Sequence, residues 1–268
     1  MRRRNRWPRA RLLAYQRGEL ARVRVDAMAR SAFYRRFHAG HETRPLEDLP
    51  VLTKAAAMAA FDELVTDPEV RYEAVRRHIA SGARGLFAGR YRVTLTSGTT
   101  GEPGIFVYDR RAWRWLLASY ARSGELAGAR MRIARRRRTA VVASTHPSSV
   151  SAQLADSFAS PWVPMLELDA LDPLAELVAR LNAWQPDMLV AYASSARHLA
   201  HEQLAGRLRI APQFVFTTAE VLTPETRRLA AEAWGREPFN RYTTSETGDL
   251  AVECAEGRRL HLAEAARL

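Results

Sequence analysis

The sequence predicts an α/β protein, with a mostly helical N-terminal region over residues 1–89 and a layered α/β region over residues 90–268. Three observations predict it. Up to residue 89 the chain is rich in Arg, Ala and Leu and lacks long β-branched runs. From Arg90 onward, short β-branched segments alternate with longer amphipathic ones, the order that stacks helices on a sheet. Helix punctuation also recurs, with Asp-Pro and Thr-Pro at starts and Gly at stops.

Residues 9–38 read as helix. In "LPVLTKAAAMAAFDELV", Thr53 reads as the N-cap, and Met58, Phe61 and Leu64 form an apolar stripe at helical spacing. Residues 69–80 read as a further helix. "RYRVTLT" then alternates as a strand, and a loop of Ser, Gly and Thr leads to a short strand, "GIFVYD". A helix follows through "RRAWRWLLASYARSGELA". "TAVVAS" and "WVPMLELD" read as strands. "DPLAELVARLNAW" reads as a helix capped by Asp172, with Pro173 at its first position. Next come the strand "PDMLVAYAS", a helix ending at Gly206, and the strand "PQFVFTTAE". A helix capped by Thr223 and stopped at Gly235 follows, then the strand "PFNRYTTSE". "GDLAVECAEGRRLHL" closes the chain as a hairpin turning at Glu256-Gly257.

The chain has 268 residues, enough to bury a sizeable core, and no apolar run approaches the ~18 residues of a membrane span. No membrane partner is therefore expected. The basic start lacks the apolar stretch of a secretory signal, and its bias continues along the chain. The single Cys254 precludes an internal disulfide and suits a reducing compartment, so a cytoplasmic location is expected. Net charge is +12, and Lys54 is the sole lysine among 41 basic residues. Such a surface favours anionic ligands. The densest cluster, "RMRIARRRRTA", reads as a solvated connection into the next strand. Its rival reading is a nucleic-acid patch, but no helix-turn-helix, zinc-finger spacing or ribonucleoprotein motif accompanies it.

Three strand tips could carry chemistry. In "TSGTTGEPG", Gly98, Gly101 and Gly104 let the backbone approach a ligand, while Ser97, Thr99 and Thr100 offer hydroxyls. The loop amides could form an anion nest, although the loop lacks the GK[ST] ending of a Walker motif. "FTTAEVL" runs from a strand into small polar residues and Glu220. "NRYTTSETG" brings Tyr242, hydroxyls and Glu246 to another strand end, where ligands of open α/β sheets bind. A tyrosine can stack on a base, and a carboxylate can hold Mg²⁺.

In this order the motifs resemble the adenylate-forming ligase superfamily, and within it the phenylacetate–coenzyme A ligase-like branch. The segments are "LPVLTK", "TSGTTGEPG", "QPDMLVAYAS", "FTTAEVL", "RYTTSE" and "ECAEGRRLH", running from about residue 45 to 262. The resemblance implies ATP-dependent carboxylate activation, in which the acid attacks the α-phosphate to give an acyl-adenylate that a coenzyme A thiol then takes. By matching positions, Thr96, Ser97, Gly98, Thr99, Thr100 and Gly101 would hold the β- and γ-phosphates. Thr218, Ala219, Glu220, Tyr242, Thr243 and Thr244 would line the nucleotide. Ser245 would meet the α-phosphate and Glu246 would take Mg²⁺. Ser144, His146 and Tyr192, at strand ends, are candidates to line the pocket of a small carboxylic acid.

The sequence also departs from the pattern. Glu102 stands where the family often has Lys, and Thr243 replaces a Gly. After His261 the pattern stops, before the ribose-binding Asp and the C-terminal lid. A truncated or impaired ligase is the expectation, with a fragment, a frameshift or a separate lid polypeptide each able to account for it. The alternative is a degenerate nucleotide-binding module without turnover. Some members of the branch hold zinc through a Cys and His of the final hairpin plus two further cysteines. With Cys254 and His261 alone, no stoichiometric zinc is expected here.

Overall fold

A computed structural model describes residues 4, 7–96, 103–129, 136–256 and 259–262. It divides into two compact units, one from Met1 to Val107 and one from Tyr108 to Ala266.

The first unit contains α1 (Arg9–Arg30), α2 (Ala32–Phe37), a 3-10 turn at Leu46–Asp48, α3 (Lys54–Ala59), α4 (Phe61–Leu64), α5 (Tyr72–Ala80) and β1 (Arg92–Leu95). β2 (Ile105–Tyr108) pairs with β1 in a two-stranded sheet. The expected continuous helix over 9–38 is broken at Ser31, which is extended and fully buried. Its hydroxyl accepts from the Tyr34 N–H at 3.3 Å, capping α2, and donates to the Glu63 carbonyl at 2.8 Å. In an unbroken helix the Tyr34 N–H would bond the Arg30 carbonyl instead of this hydroxyl. Thr53 caps α3 as expected, through the Ala56 N–H at 3.2 Å, but that helix stops at Ala60 and restarts as α4. α5 begins at Tyr72 rather than 69, where Asp62 accepts the Tyr72 N–H at 2.7 Å. Met58, Phe61, Val70, Val75, Val93 and Ile105 form this unit's core.

The second unit is built on a seven-stranded sheet. Its elements are α6 (Arg110–Leu126), β3 (Thr139–Ala143), α7 (Val150–Phe158), β4 (Met165–Asp169), α8 (Leu174–Trp184), β5 (Met188–Tyr192) and α9 (Ala193–Leu204). β6 (Phe214–Thr218), α10 (Pro224–Trp234), β7 (Phe239–Thr244), β8 (Gly248–Glu253) and β9 (Leu260–Leu262) complete it. The strand order is β4-β3-β5-β6-β7-β8-β9. The pairs from β4 through β7 are parallel, and β7, β8 and β9 are antiparallel.

Alternation builds two apolar layers. Leu189 and Ala191 of β5 and Val215 of β6 join the main core with Leu181, Leu199 and Leu229 from α8, α9 and α10. Phe216, in the same strand as Val215, belongs to a second cluster with Ala127 and Ala129, against which Met188, Val190 and Phe214 pack. Burial on both faces is what a parallel sheet requires.

Two helix readings need correction. Asp172 is not an N-cap. Pro173 takes that position, and its carbonyl accepts the Glu176 N–H at 2.9 Å, so α8 starts one residue later. The Asp172 N–H turns back to the Asp169 carbonyl instead, at 3.0 Å. The pattern also did not mark α7, whose buried face is Ala152, Gln153 and Ala155. Small and polar residues leave little hydrophobic periodicity to read.

Candidate functional site

Parallel pairing places the carboxyl ends of β3, β5, β6 and β7 along one edge of the sheet. Hydrogen bonds join them in a row. The Ser144 N–H, just past β3, donates to the Tyr192 Oη at the end of β5, at 3.1 Å. Ser194, in the first turn of α9, donates to Glu220 beyond β6, from its backbone N at 2.7 Å and from Oγ at 3.0 Å. The hydroxyls of Thr218 on β6 and Thr243 on β7 meet at 2.9 Å. The Tyr108 hydroxyl donates to the Ser245 carbonyl.

Each tip has a local cause. Ala219 has φ of +65°, a left-handed conformation that turns the chain sharply between Thr218 and Glu220. Tyr242 on β7 is 58% exposed, so its ring is not consumed by packing. At the end of β7, Thr244 Oγ1 accepts the Thr247 N–H at 3.2 Å and lies 2.8 Å from Thr247 Oγ1, closing the tip that carries Ser245 and Glu246. Glu246 is exposed and makes no hydrogen bond or ion pair among the described residues.

His146 is exposed in the loop after β3, and its Nδ1 accepts the Ser148 N–H at 3.1 Å. That bond leaves Nε2 as the N–H of the neutral ring. Ser149 and Ser151 both donate to the Ser144 carbonyl, at 2.9 and 2.6 Å. Asp169 accepts from the N–H and hydroxyl of Thr145, at 3.1 and 2.6 Å. Burial opposes ionisation of Asp169, but the Thr145 hydroxyl and the backbone N–H groups of Leu171 and Thr145 outweigh it and hold its pKa below the usual range.

Thr96, in the first unit, clasps the base of the glycine-rich loop. Its N–H donates to the Gly104 carbonyl at 3.0 Å and its Oγ1 accepts the Gly104 N–H at 2.8 Å. Ser97, Gly98, Thr99, Thr100 and Gly101 lie outside the described residues, as does Glu102.

Sequence reasoning missed a charged cluster behind the β7–β8 tip. Asp249 on β8 is 1% exposed, and Arg241 Nε lies 3.8 Å from its Oδ2. Burial pushes the Asp249 carboxyl up, against the pull of Arg241 and Ser123. Burial and the neighbouring Asp249 also raise the Tyr120 phenol. A lone Asp inside the apolar run "GDLAVEC" was the available signal. Cys254 is buried at the end of β8, whereas His261, in register with Val252, is exposed. Among the described residues, no group of three His, Cys, Asp or Glu is placed to hold a metal, and no helix is long and apolar enough to cross a membrane.

No family model matches the chain, and no curated protein matches it either. Solved structures do. 2-Hydroxyisobutyryl-CoA ligase in the postadenylation state, in complex with 2-HIB-AMP, aligns with a TM-score of 0.72 at 19% identity, over 93% of this chain and 52% of that one. The same ligase with 2-HIB-AMP and CoA in the thioesterification state aligns with a TM-score of 0.70 at 20% identity, over 94% and 53%. Its open conformation aligns with a TM-score of 0.68 at 19% identity, over 89% and 52%. The chain thus shares the layered α/β fold of the 2-hydroxyisobutyryl-CoA ligase structures and spans about half of their length.

Proposed function

We propose that the chain binds ATP·Mg²⁺ at the tips of β6 and β7 and activates a small carboxylic acid as its acyl-adenylate, for transfer to coenzyme A. The observation that carries this reading is the row of tip-to-tip hydrogen bonds, Ser144–Tyr192, Ser194–Glu220 and Thr218–Thr243. It presents the motif residues of four strands as one continuous edge, the place where open α/β sheets bind ligands. In this reading Tyr242 stacks on the adenine, and the peptide groups around Thr218, Ala219 and Thr243 line the nucleotide. Thr244 and Ser245 sit by the α-phosphate. Glu246 has a carboxylate with no protein partner among the described residues, which fits a Mg²⁺ ligand sharing the ion with water and phosphate oxygens. The metal would offset charge developing at phosphorus. Ser144, His146 and Tyr192 would face the acid, with the His146 Nε2–H and the Tyr192 hydroxyl as donors. The motifs point to the phenylacetate–coenzyme A ligase-like branch.

ATP–pyrophosphate exchange across a panel of aryl, short-chain and hydroxy acids tests the reading, alongside calorimetry with ATP·Mg²⁺. Absence of ATP·Mg²⁺ binding at millimolar nucleotide would sink it. A second reading, a nucleotide-binding module without turnover, is favoured by the Thr218–Thr243 contact. Thr243 stands where the resembled motif has Gly, and its hydroxyl is engaged within the protein. Binding without exchange for any acid would select that reading.

A further inference from the structure

The β7–β8 ladder changes register on its way to the tip. Arg241 pairs with Val252 and Tyr242 with Ala251, but Thr243 then pairs with Asp249 and Thr244 with Gly248, leaving Leu250 as an extra residue. The shift leaves Ser245, Glu246 and Thr247 as a three-residue connection, with Gly248 in the left-handed region at φ +83°. Without the shift, Thr243 would pair with Leu250 and Ser245 would be drawn into the ladder.

The side chains on either strand discriminate between these registers. The Arg241 guanidinium is almost fully buried, 3.9 Å from the centre of the Phe216 ring and 6.0 Å from that of Tyr120. Arginine stays charged wherever it is placed, so this site requires a counter-charge. Asp249, fully buried, is the carboxylate that faces it, with Oδ2 3.8 Å from Arg241 Nε. A one-residue slip carries a side chain to the other face of the sheet. In the unshifted register Asp249 would oppose Thr244, turn away from Arg241 and leave both charges buried alone. The apolar neighbours Leu250, Ala251 and Val252 tolerate either register far better than this pair does.

We propose that Arg241 and Asp249 form a register lock, a pair of positioning residues that selects the bulged ladder and thereby sets the three-residue tip bearing Ser245 and Glu246. Neither residue touches the ligand. The pair acts through the backbone of the tip, and its bearing on nucleotide binding rests on the function proposed above.

The test is the double variant Arg241→Met/Asp249→Leu, which removes both charges while keeping apolar bulk, a replacement buried ion pairs commonly tolerate. Cross-strand amide contacts by nuclear magnetic resonance report whether Thr243 faces position 249 or 250. The expected result is a folded protein in which Thr243 contacts both positions, with faster amide exchange over Thr244–Gly248. ATP·Mg²⁺ affinity should fall. A double variant that keeps the single Thr243–249 pairing overturns the lock. Should it fail to fold, Asp249→Asn is measured in the same way. Unchanged register there, or failure of both variants to fold, also overturns it. A wild-type protein that binds no ATP·Mg²⁺ would remove the proposed function but leave the register measurement decisive.

Discussion

Glu220 closes the N-terminus of α9 through Ser194, taking both its backbone N–H, at 2.7 Å, and its hydroxyl, at 3.0 Å. The carboxylate therefore acts as a cap supplied from a neighbouring strand tip, and it meets the positive end of a 12-residue helix. Glu220→Ala should lower stability by about 1 kcal/mol, the usual worth of a cap. Glu220→Gln, which keeps an acceptor, should cost less. Urea unfolding of the two variants checks this, and equal stability of all three proteins would contradict the cap.

Glu246 should act through the metal. Glu246→Ala is expected to weaken ATP·Mg²⁺ binding while sparing metal-free nucleotide. Calorimetry with and without Mg²⁺ separates the two. Equal losses in both titrations would make the residue structural.

Tyr242 offers its ring to solvent, so removing it should leave the fold intact. Tyr242→Ala should bind ATP about tenfold more weakly or worse, the scale of a lost base–aromatic stack. Tyr242→Phe should bind as the wild type does. A Phe variant as weak as the Ala variant would assign the effect to the hydroxyl.

Two left-handed residues should respond in opposite ways. A Cβ at Gly248 would lie 2.8 Å from Ser119 Oγ and 3.0 Å from Leu116 Cγ, at a φ of +83°. Gly248→Ala should therefore destabilise by more than about 1 kcal/mol. Ala219 already bears a Cβ at φ +65°, a strain of roughly 1–2 kcal/mol. Ala219→Gly relieves it and loses about 0.5–1 kcal/mol in chain entropy, so it should be neutral to mildly stabilising. Chemical denaturation of both variants reads the contrast directly.

Asp169 predicts an acid limb. Its folded pKa is depressed, so its contribution to stability is complete above the unfolded value of about 3.9 and is lost as pH falls through the folded value. Asp169→Asn should therefore lose less stability than the wild type between pH 6 and pH 3. Thr145→Val, which removes the hydroxyl donor, should move the same way. Urea midpoints at the two pH values decide it, and parallel losses in all three proteins would count against the assignment.

The strands and the helix stops were legible because each had a local cause. Thr53 caps its helix, Gly235 stops another at φ +67°, and the continuous apolar runs in "PDMLVAYAS" and "PQFVFTTAE" belong to strands that pack on both faces. What escaped was set by partners distant in sequence. Ser31 breaks a helix because Glu63, 32 residues away, offers it a carbonyl. α7 buries Ala152, Gln153 and Ala155, which carry little apolar signal. The motif residues Thr218, Glu220, Thr243 and Ser245 could be picked out as a set, but their pairing could not. Tyr108 holds Ser245 from a strand that the motifs do not include, and the bond from Ser194 to Glu220 joins two motifs that are 26 residues apart. Asp249 was hidden for a similar reason, since its significance depends on a register shift that pairing along β7 alone reveals.

Cys254 gives the second unit an intrinsic reporter. It is the single cysteine of the chain, 8% exposed, at the end of the strand whose other end forms the Ser245–Glu246 tip. A thiol reagent reaches so buried a group only when its surroundings open, so its labelling rate under native conditions measures that opening without any introduced probe. With closing faster than labelling, the rate scales with the open population, and a ligand that binds only the closed form slows it. One unmodified side chain would thus report the proposed nucleotide binding as a chemical rate.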